Sequence, residues 1–464
     1  MLDYQMSQKS PICLRFRSSS TFIITVIGFS LFTDFFLYGI IVPVLPFALK
    51  ERIGLPEDDV NHVLGLLLTA EALATVLFSP FAGLIADYGN GKRAFLLGLL
   101  ALCLSTTMLC FGRTLSVLLG ARVLQGISAA VVWTVGLSLL IDTVGIQRLG
   151  SVFGTIHSTI SIGMLSSPLI GGFVYSRCGY YAVYGVSAGL LAMDLVLRLF
   201  MIEKSVAKEL KKFGIDEGDD DERTVLITNS DQLERIPEPL IVNQSEPLTG
   251  LKKHLPILIM LEDPHLLACL LVSFSQATIL ASFDTILPLH AHSRFGFGSS
   301  GSGMLFGALQ LSFIFLNPMF GNFADHHGGR VCVVMGFLGL APLLVLLSIP
   351  SEADLITFVI VLVGIGVGLA AVSAPAFVEA NLTVSRGYEA NRDRFGARGP
   401  FGQLYAINNI MFGLGMSVGP MVSSILSDQF GFRAAMIGLA TISFGTGLVG
   451  FFGIRSSVSQ AQLM

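Results

Sequence analysis

The chain has 464 residues, of which 53% are hydrophobic and 13% are charged, and its mean hydropathy is +0.74. Soluble domains carry about 25% charged residues, so this composition excludes an ordinary soluble protein and indicates a membrane protein. The net charge of -4 says little about partners, because nearly all titratable groups lie in loops, and we expect no nucleic acid partner.

Twelve apolar stretches are long enough to cross a bilayer, since about 20 helical residues span a hydrocarbon core of roughly 30 Å. In the first half of the chain they are 22–48, 60–86, 94–111, 115–141, 150–175 and 180–202. In the second half they are 265–290, 302–324, 331–349, 354–379, 402–427 and 433–454. The alternating pattern of a barrel is missing, so the sequence predicts an all-α membrane protein with twelve transmembrane helices.

The connections suggest both the domains and the orientation. The predicted divisions are an N-terminal tail, a six-helix bundle, a charged linker, a second six-helix bundle and a C-terminal tail, at 1–21, 22–202, 203–264, 265–454 and 455–464. Twenty lysines and arginines fall on the side of the termini and six on the other side, which predicts cytoplasmic termini and a cytoplasmic linker. We expect the plasma membrane, with a vacuolar or vesicular membrane as the alternative.

Two sequence patterns recur about half a chain apart. "GLIADYGNGKR" (83–93) lies between the second and third predicted helices, and "GNFADHHGGR" (321–330) lies between the eighth and ninth. "GMLSSPLIGG" (163–172) in the fifth helix is likewise echoed by "GMSVGPMVSS" (415–424) in the eleventh. Two pseudo-symmetric halves with a site between them are typical of an alternating-access transporter.

Four charged side chains fall inside the predicted helices, where an ionised group costs at least about 2.5 to 3.5 kcal/mol. Asp34 lies roughly 18 Å along the first helix, at a depth that suits proton loading or cation binding, with a structural hydrogen-bond role as the alternative. Glu71 lies at similar depth and can share a proton with Asp34 or pair with Arg122. Arg122 can extend towards the outer interface if it lies near a helix end. Asp284 lies nearer an outer end of its helix, where it can face outer water.

These motifs resemble the major facilitator superfamily across both halves of the chain. Its loop signature is present as Gly83, Asp87, Gly91, Lys92 and Arg93, and in weaker form as Gly321, Asp325, Gly329 and Arg330. Its fourth-helix signature is present as "RVLQG" (122–126). The antiporter signature of the fifth helix is present as Gly163, Pro168, Gly171 and Gly172, with Ser167 where a glycine is usual.

Within that family the chain is similar to the twelve-span drug:proton antiporter branch, which includes the vesicular amine transporters. The similar stretches are "TDFFLYGIIVPVLPFAL", "ARVLQGISAA" and "GQLYAINNIMFGLGMSVGP". The stretch "MDLVLRLFMIEK" (193–204) resembles fungal members, many of which export secondary metabolites or toxic compounds. The resemblance therefore implies multidrug or metabolite efflux.

The resemblance also implies roles for single residues. Asp34 matches an acid that serves substrate and proton coupling, Arg122 matches an arginine that assists proton transfer, and Asp284 matches an acid of substrate recognition. The loop of Asp87, Lys92 and Arg93 is expected to latch the cytoplasmic side, with Asp87 either accepting hydrogen bonds at a helix end or pairing with a guanidinium. The second-half loop with Asp325 and Arg330, and the glycine-rich element of the fifth helix, are expected to take part in the same gating.

Two positions depart from the vesicular relatives. Glu71 stands where they carry a lysine, and Asn409 stands where they carry an aspartate, so a stoichiometry of two protons does not transfer. Further residues are expected to line the cavity, with helix packing as the alternative for each: Gln125, Trp133, His157, Gln310, Phe401, Tyr405, Asn408 and Asn409.

The sequence therefore predicts a proton-coupled exporter of small amphipathic organic molecules, embedded in the lipid bilayer. We expect no enzyme activity, cofactor, metal or obligate protein partner. One alternative is a proton symporter for a nutrient or organic acid, against which the element from Gly163 to Gly172 argues. The other is a membrane sensor on a transporter fold that does not transport.

Overall fold

The computed structural model describes residues 14–41, 44–145, 148–202, 257–297, 299–349, 355–390, 395 and 399–454. Within these residues lie twelve helices that are long and apolar enough to cross a membrane, which confirms the predicted fold class. We number only these twelve. The first six are α1 (Ser20–Ile41), α2 (Glu57–Tyr88), α3 (Gly91–Phe111), α4 (Leu115–Val144), α5 (Leu149–Cys178) and α6 (Tyr180–Phe200). The second six are α7 (Pro264–Phe295), α8 (Ser299–His327), α9 (Gly329–Leu347), α10 (Leu355–Ala390), α11 (Phe401–Phe430) and α12 (Phe432–Gly453).

Two helix ends differ clearly from the prediction. Helix α1 ends at Ile41 rather than at 48, and a short helix at Leu45–Ala48 and a π-helical turn at Leu49–Ile53 follow it. The sequence has prolines at 43 and 46, and a break is expected there because proline offers no backbone N–H to continue a helix. Helix α10 continues to Ala390, beyond the predicted end at 379, since polar residues past the apolar stretch remain helical.

Each half forms its own bundle, and the two bundles meet mostly along two helix pairs. In the first half α1 packs on α5, and α2 and α3 pack on α4; in the second half α7 packs on α11, and α8 and α9 pack on α10. The two halves meet where α2 packs on α11 and where α5 packs on α8. Large apolar side chains on the outward faces are exposed, as expected of a surface that contacts lipid, for example Leu97, Phe173 and Phe452.

The predicted linker and tails lie mostly outside the described residues, which exclude 1–13, 203–256 and 455–464. The end of the predicted linker is described, and it packs on the second bundle. A short helix at Ile257–Met260 is buried there, and the backbone N–H of Ile257 donates to Gln403 Oε1 at 3.4 Å. Asp263 then caps α7, because its Oδ1 accepts from the backbone N–H of His265 at 3.0 Å.

Candidate transport site and inner closure

Glu71 and Arg122 form a buried ion pair inside the first bundle. Arg122 is fully buried on α4, and its Nη1 donates to Glu71 Oε2 at 2.8 Å and to Gln125 Oε1 at 3.0 Å. Its Nε and Nη2 have no hydrogen-bond partner among the residues that the structure describes. Of the alternatives that the sequence left open, the contacts therefore show Glu71 paired with Arg122, and Arg122 turned inward rather than towards an outer interface.

Asp34 lies beside this pair without joining it. The residue is 9% exposed, and its Oδ1 makes no hydrogen bond within the described part of the chain. The charges of Glu71, Arg198 and Asp194 all act on its carboxyl group. A buried carboxylate oxygen that lacks a hydrogen-bond donor is costly in a membrane, and protonation or a nearby cation lowers that cost.

An aromatic cluster crosses the two halves next to Asp34. The ring of Trp133 on α4 lies 6.1 Å from that of Phe35, 6.1 Å from that of His157 and 6.3 Å from that of Phe377, measured between centroids. Phe377 belongs to α10, so the cluster joins the first bundle to the second. The indole Nε1 of Trp133 is buried with no hydrogen-bond partner in the described residues, so it can donate to a guest molecule.

Three polar residues of α11 each form a hydrogen bond to a different helix. Tyr405 is fully buried and donates to Asn381 Oδ1 at 2.8 Å, and Asn408 accepts at its Oδ1 from Ser273 Oγ at 2.7 Å. Asn409 donates from Nδ2 to Ser79 Oγ of α2 at 2.9 Å, which is a bond between the two halves. Tyr405 and Asn409 therefore hold helices together in this conformation, while the Nδ2 of Asn408 has no described partner.

Asp284 is the one charged residue of the predicted membrane set that the structure leaves exposed among the residues it describes. It lies on α7 near Tyr38 of α1, since the charge of Asp284 acts on the Tyr38 hydroxyl. Both side chains are exposed, and Glu71 and Arg122 also act on the Tyr38 hydroxyl, so Tyr38 lies between Asp284 and the buried pair.

Two acids close one end of the interface by capping helices of the opposite half. Asp87 at the end of α2 accepts from the backbone N–H of Gly402 at 2.6 Å and from that of Gln403 at 3.1 Å. The side-chain Nε2 of Gln403 adds a third bond at 3.0 Å. Negative charge at a helix N-terminus is favourable because the backbone N–H groups there lack partners within the helix. Asp87 thus takes the helix-end role, and not the guanidinium pair, of the two that the sequence allowed.

Asp325 repeats this arrangement from the second half. Its two carboxylate oxygens accept from the backbone N–H of Gly150 at 2.7 Å and of Ser151 at 2.8 Å, at the start of α5. Glycine makes both caps sterically feasible. A methyl group at Gly321 would overlap the carbonyl oxygen of Gly150, and one at Gly83 would press on Gly402 and Ala406.

Lys92 and Arg330 of the two loops bond to carbonyl oxygens within their own bundles. Lys92 Nζ donates to the carbonyl oxygens of Leu199 and Met201, which lie at the end of α6 in its own bundle. Arg330 donates in the same way to the carbonyl oxygen of Phe451 at 2.6 Å. Arg93 is exposed. The expectation that Lys92 and Arg93 take part in a latch of the cytoplasmic side stays a prediction, and the described bonds of Lys92 lie within the first bundle.

The glycine-rich element of α5 packs on α1. Methyl groups at Gly163 and Gly171 would meet Phe32 and the carbonyl oxygen of Ile40, whereas Gly172 has open space beside it. Pro168 lies inside the helix. Gly91, from the loop signature between α2 and α3, is buried and begins α3. The element thus sets how closely two helices approach within one bundle.

Sequence reasoning missed one buried network in α6. Arg198 and Asp194 are both fully buried and paired at 2.8 Å, and Asp194 Oδ1 lies 2.6 Å from the hydroxyl of Ser30 on α1. These two residues lie inside the quoted stretch "MDLVLRLFMIEK", where an acid and a base four residues apart were the available signal.

Glu379 on α10 was missed too; its Oε1 accepts from the backbone N–H of Gly329 at 2.6 Å.

Comparisons with known proteins agree with this architecture. A family model described as Major Facilitator Superfamily matches residues 27–387. The MFS-type transporter ppzB of Metarhizium rileyi (strain RCEF 4871) is 35% identical over 470 residues, covering 96% of this chain and 97% of the relative. The class B tetracycline resistance protein of Escherichia coli is 28% identical, covering 72% of this chain and 74% of the relative.

A solved structure shares the fold at low sequence identity. The human organic anion transporter MFSD10 (TETRAN) is 17% identical and superposes with a TM-score of 0.67, covering 93% of this chain and 99% of that one. Twelve apolar helices in two bundles, the family match and the long relative together identify the chain as a multi-pass membrane transporter, not an enzyme. It belongs to the Major Facilitator Superfamily.

Proposed function

We propose that this transporter exports small amphipathic organic molecules in exchange for protons by alternating access. The observation that carries the proposal is Asp34, a buried carboxyl group whose Oδ1 has no hydrogen-bond partner in the described residues, next to the Glu71–Arg122 ion pair. A transporter that exchanges a proton for cargo needs one group that either can neutralise, and Asp34 meets that requirement.

The charges of the first bundle support a single exchanged charge. Five buried charged residues lie away from its inner closure, namely Asp34, Glu71, Arg122, Asp194 and Arg198. Three acids and two bases leave a net charge of -1 when all are ionised. Two of the acids have their own arginine, so the excess falls on Asp34. One proton, or one cationic centre of a substrate, then balances the site.

The cavity residues favour an amphipathic cargo. Trp133 and Phe377 offer ring faces from opposite halves, and the unpartnered Trp133 Nε1 offers a hydrogen bond. We assign Gln125 a supporting role, since its Oε1 holds Arg122. We place Asp284 and Asn408 on the substrate path of the second half. The similarity to the tetracycline resistance protein supports efflux as the direction of transport.

The two cross-bundle caps supply the inner gate. We assign Asp87 and Asp325, with the glycines around them, to a contact made when the cytoplasmic side is closed and broken when it opens. Asn409 joins that contact through its bond to Ser79, whereas the bond of Tyr405 to Asn381 holds two helices of the second half together. We infer that the site is reached from the opposite side while this contact is closed, and that protons enter from there. We place both termini in the cytosol and the protein in the plasma membrane.

Purified protein in proteoliposomes tests the proposal. Uptake of a panel of cationic, neutral and anionic fluorescent compounds is measured with an imposed pH gradient and after nigericin has collapsed it. We expect uptake of amphipathic members that requires the gradient and that Asp34→Asn abolishes. Asp428→Asn is the matched control, because Asp428 lies near the end of α11, where it contacts Ser424 at 3.3 Å. Uphill uptake that survives nigericin would exclude proton coupling.

A further inference from the structure

The missed network in α6 lies one helical turn from Asp34. Ser30 precedes Asp34 by four residues on α1, and its hydroxyl is shared between Asp194 Oδ1 at 2.6 Å and Arg198 Nε at 3.0 Å. Residues four apart on a helix lie on the same face. The network therefore borders the face of α1 that carries Asp34.

The ion pair of Asp194 and Arg198 is held by several contacts in addition to its own bond. Arg198 bonds Asp194 Oδ2 at 2.8 Å, donates to the carbonyl oxygen of Phe95 and lies 3.8 Å from the centroid of the Phe95 ring. Both charged side chains are fully buried, and two apolar residues of similar volume would fill the same space without desolvating any charge. Keeping two charges there needs another explanation.

Those charges act on Asp34, as do others around it. The elements packed on α1 are α4, α5 and α6, and Glu71 reaches Asp34 from α2. Near Asp34, these helices carry three charged or titratable groups. Arg122 is bonded to Glu71, and the ring of His157 lies against that of Trp133. The third group is the pair of Asp194 and Arg198. Only the α6 pair combines a direct bond to α1 with opposite charges.

We propose that Ser30, Asp194 and Arg198 are positioning residues for Asp34, which hold its turn of α1 against α6 and set the pH at which it exchanges its proton. The inference rests on the proposed function, because it takes Asp34 as the proton carrier. The two charges oppose each other, so removing either one exposes Asp34 to the other. Removing both returns Asp34 close to its original balance.

Trp133 provides a readout that needs no substrate. It is the only tryptophan of the chain, and its ring lies 6.1 Å from that of Phe35, the neighbour of Asp34. The fluorescence of the purified full-length protein in lipid nanodiscs is titrated between about pH 4 and pH 9. We expect one midpoint that His157→Gln retains and that Asp34→Asn removes.

The charge variants then give opposite results. Arg198→Gln leaves the negative Asp194 beside Asp34 and moves the midpoint up by about one pH unit, while Asp194→Asn leaves the positive Arg198 and moves it down by about as much. The double variant Asp194→Asn with Arg198→Gln stays within a few tenths of a unit of the parent. Ser30→Ala keeps both charges, so it leaves the midpoint in place and lowers the rate of gradient-driven uptake several-fold.

Several results would overturn the inference. Shifts in the same direction from the two single variants would do so, as would no shift from either, or a flat titration of the folded parent. If a single variant fails to fold, the double variant and Arg198→Lys decide, because a shift of a full pH unit in either contradicts the inference. A titration that survives Asp34→Asn instead contradicts the proposed function, so the two failures are distinguishable.

Discussion

The inner closure offers the sharpest prediction, because Asp87 and Asp325 perform similar tasks with different numbers of bonds. Asp87→Asn keeps the size of the side chain and removes its charge. The carboxylate accepts three hydrogen bonds with its two oxygens, and a single amide oxygen cannot replace both. Hydrogen bonds to charged groups contribute about 1.5 to 3 kcal/mol each, so losing one bond and the charge on the others costs about 2 to 3 kcal/mol of closure.

That cost corresponds to a shift of about 30-fold to 150-fold towards the conformation with the inner side open. Spin labels at Tyr88→Cys and Glu389→Cys, in a chain whose six native cysteines are replaced, report the separation of α2 and α10 by electron paramagnetic resonance. We expect a second, longer distance to become a major population in Asp87→Asn. Asp325→Asn, which loses only backbone bonds at α5, is expected to produce a smaller shift. An unchanged distance distribution in Asp87→Asn would refute the assignment of Asp87 to the closure.

Other contacts give shorter predictions. Gly321→Ala should open the same interface and slow uptake at least about tenfold, because its methyl group overlaps the carbonyl oxygen of Gly150, while Gly172→Ala should change the rate little; equal uptake rates would contradict this. Arg122→Gln leaves Glu71 unpaired and should lower the stability of the detergent-solubilised protein by about 3 to 5 kcal/mol, whereas Arg122→Gln with Glu71→Gln should recover most of it in a thermal unfolding assay. Trp133→Phe keeps the ring contacts but removes the indole N–H, so KM should rise for compounds that carry hydrogen-bond acceptors and stay constant for those that do not.

Local features of the sequence were enough to predict the helices and the two halves. Apolar stretches of spanning length mark each helix, and the repeated acidic loops mark the halves. Hydrogen bonds between residues far apart in the sequence could not be predicted. Asp87, for example, accepts from Gly402 and Gln403, more than 300 residues away. The same holds for Asn409, whose bond to Ser79 depends on how the two bundles meet. Hydropathy also ended α10 early, because it cannot tell a polar helix inside the protein from a loop.

The two bundles differ in how their buried charged residues are paired. The first bundle holds two matched ion pairs and one unmatched acid, so its interior can change by a single charge. The second bundle holds its buried acid, Glu379, against the backbone N–H groups that begin α9, where it stabilises one helix end. Under the proposed function, a charge change in Asp34 reaches the second bundle through the helix contacts between the halves. The described contacts that cross between the halves include the aromatic cluster that joins Trp133 to Phe377, the bond of Asn409 to Ser79 and the caps at Asp87 and Asp325. Under the proposed function, these contacts couple loading of the site to opening of the gate.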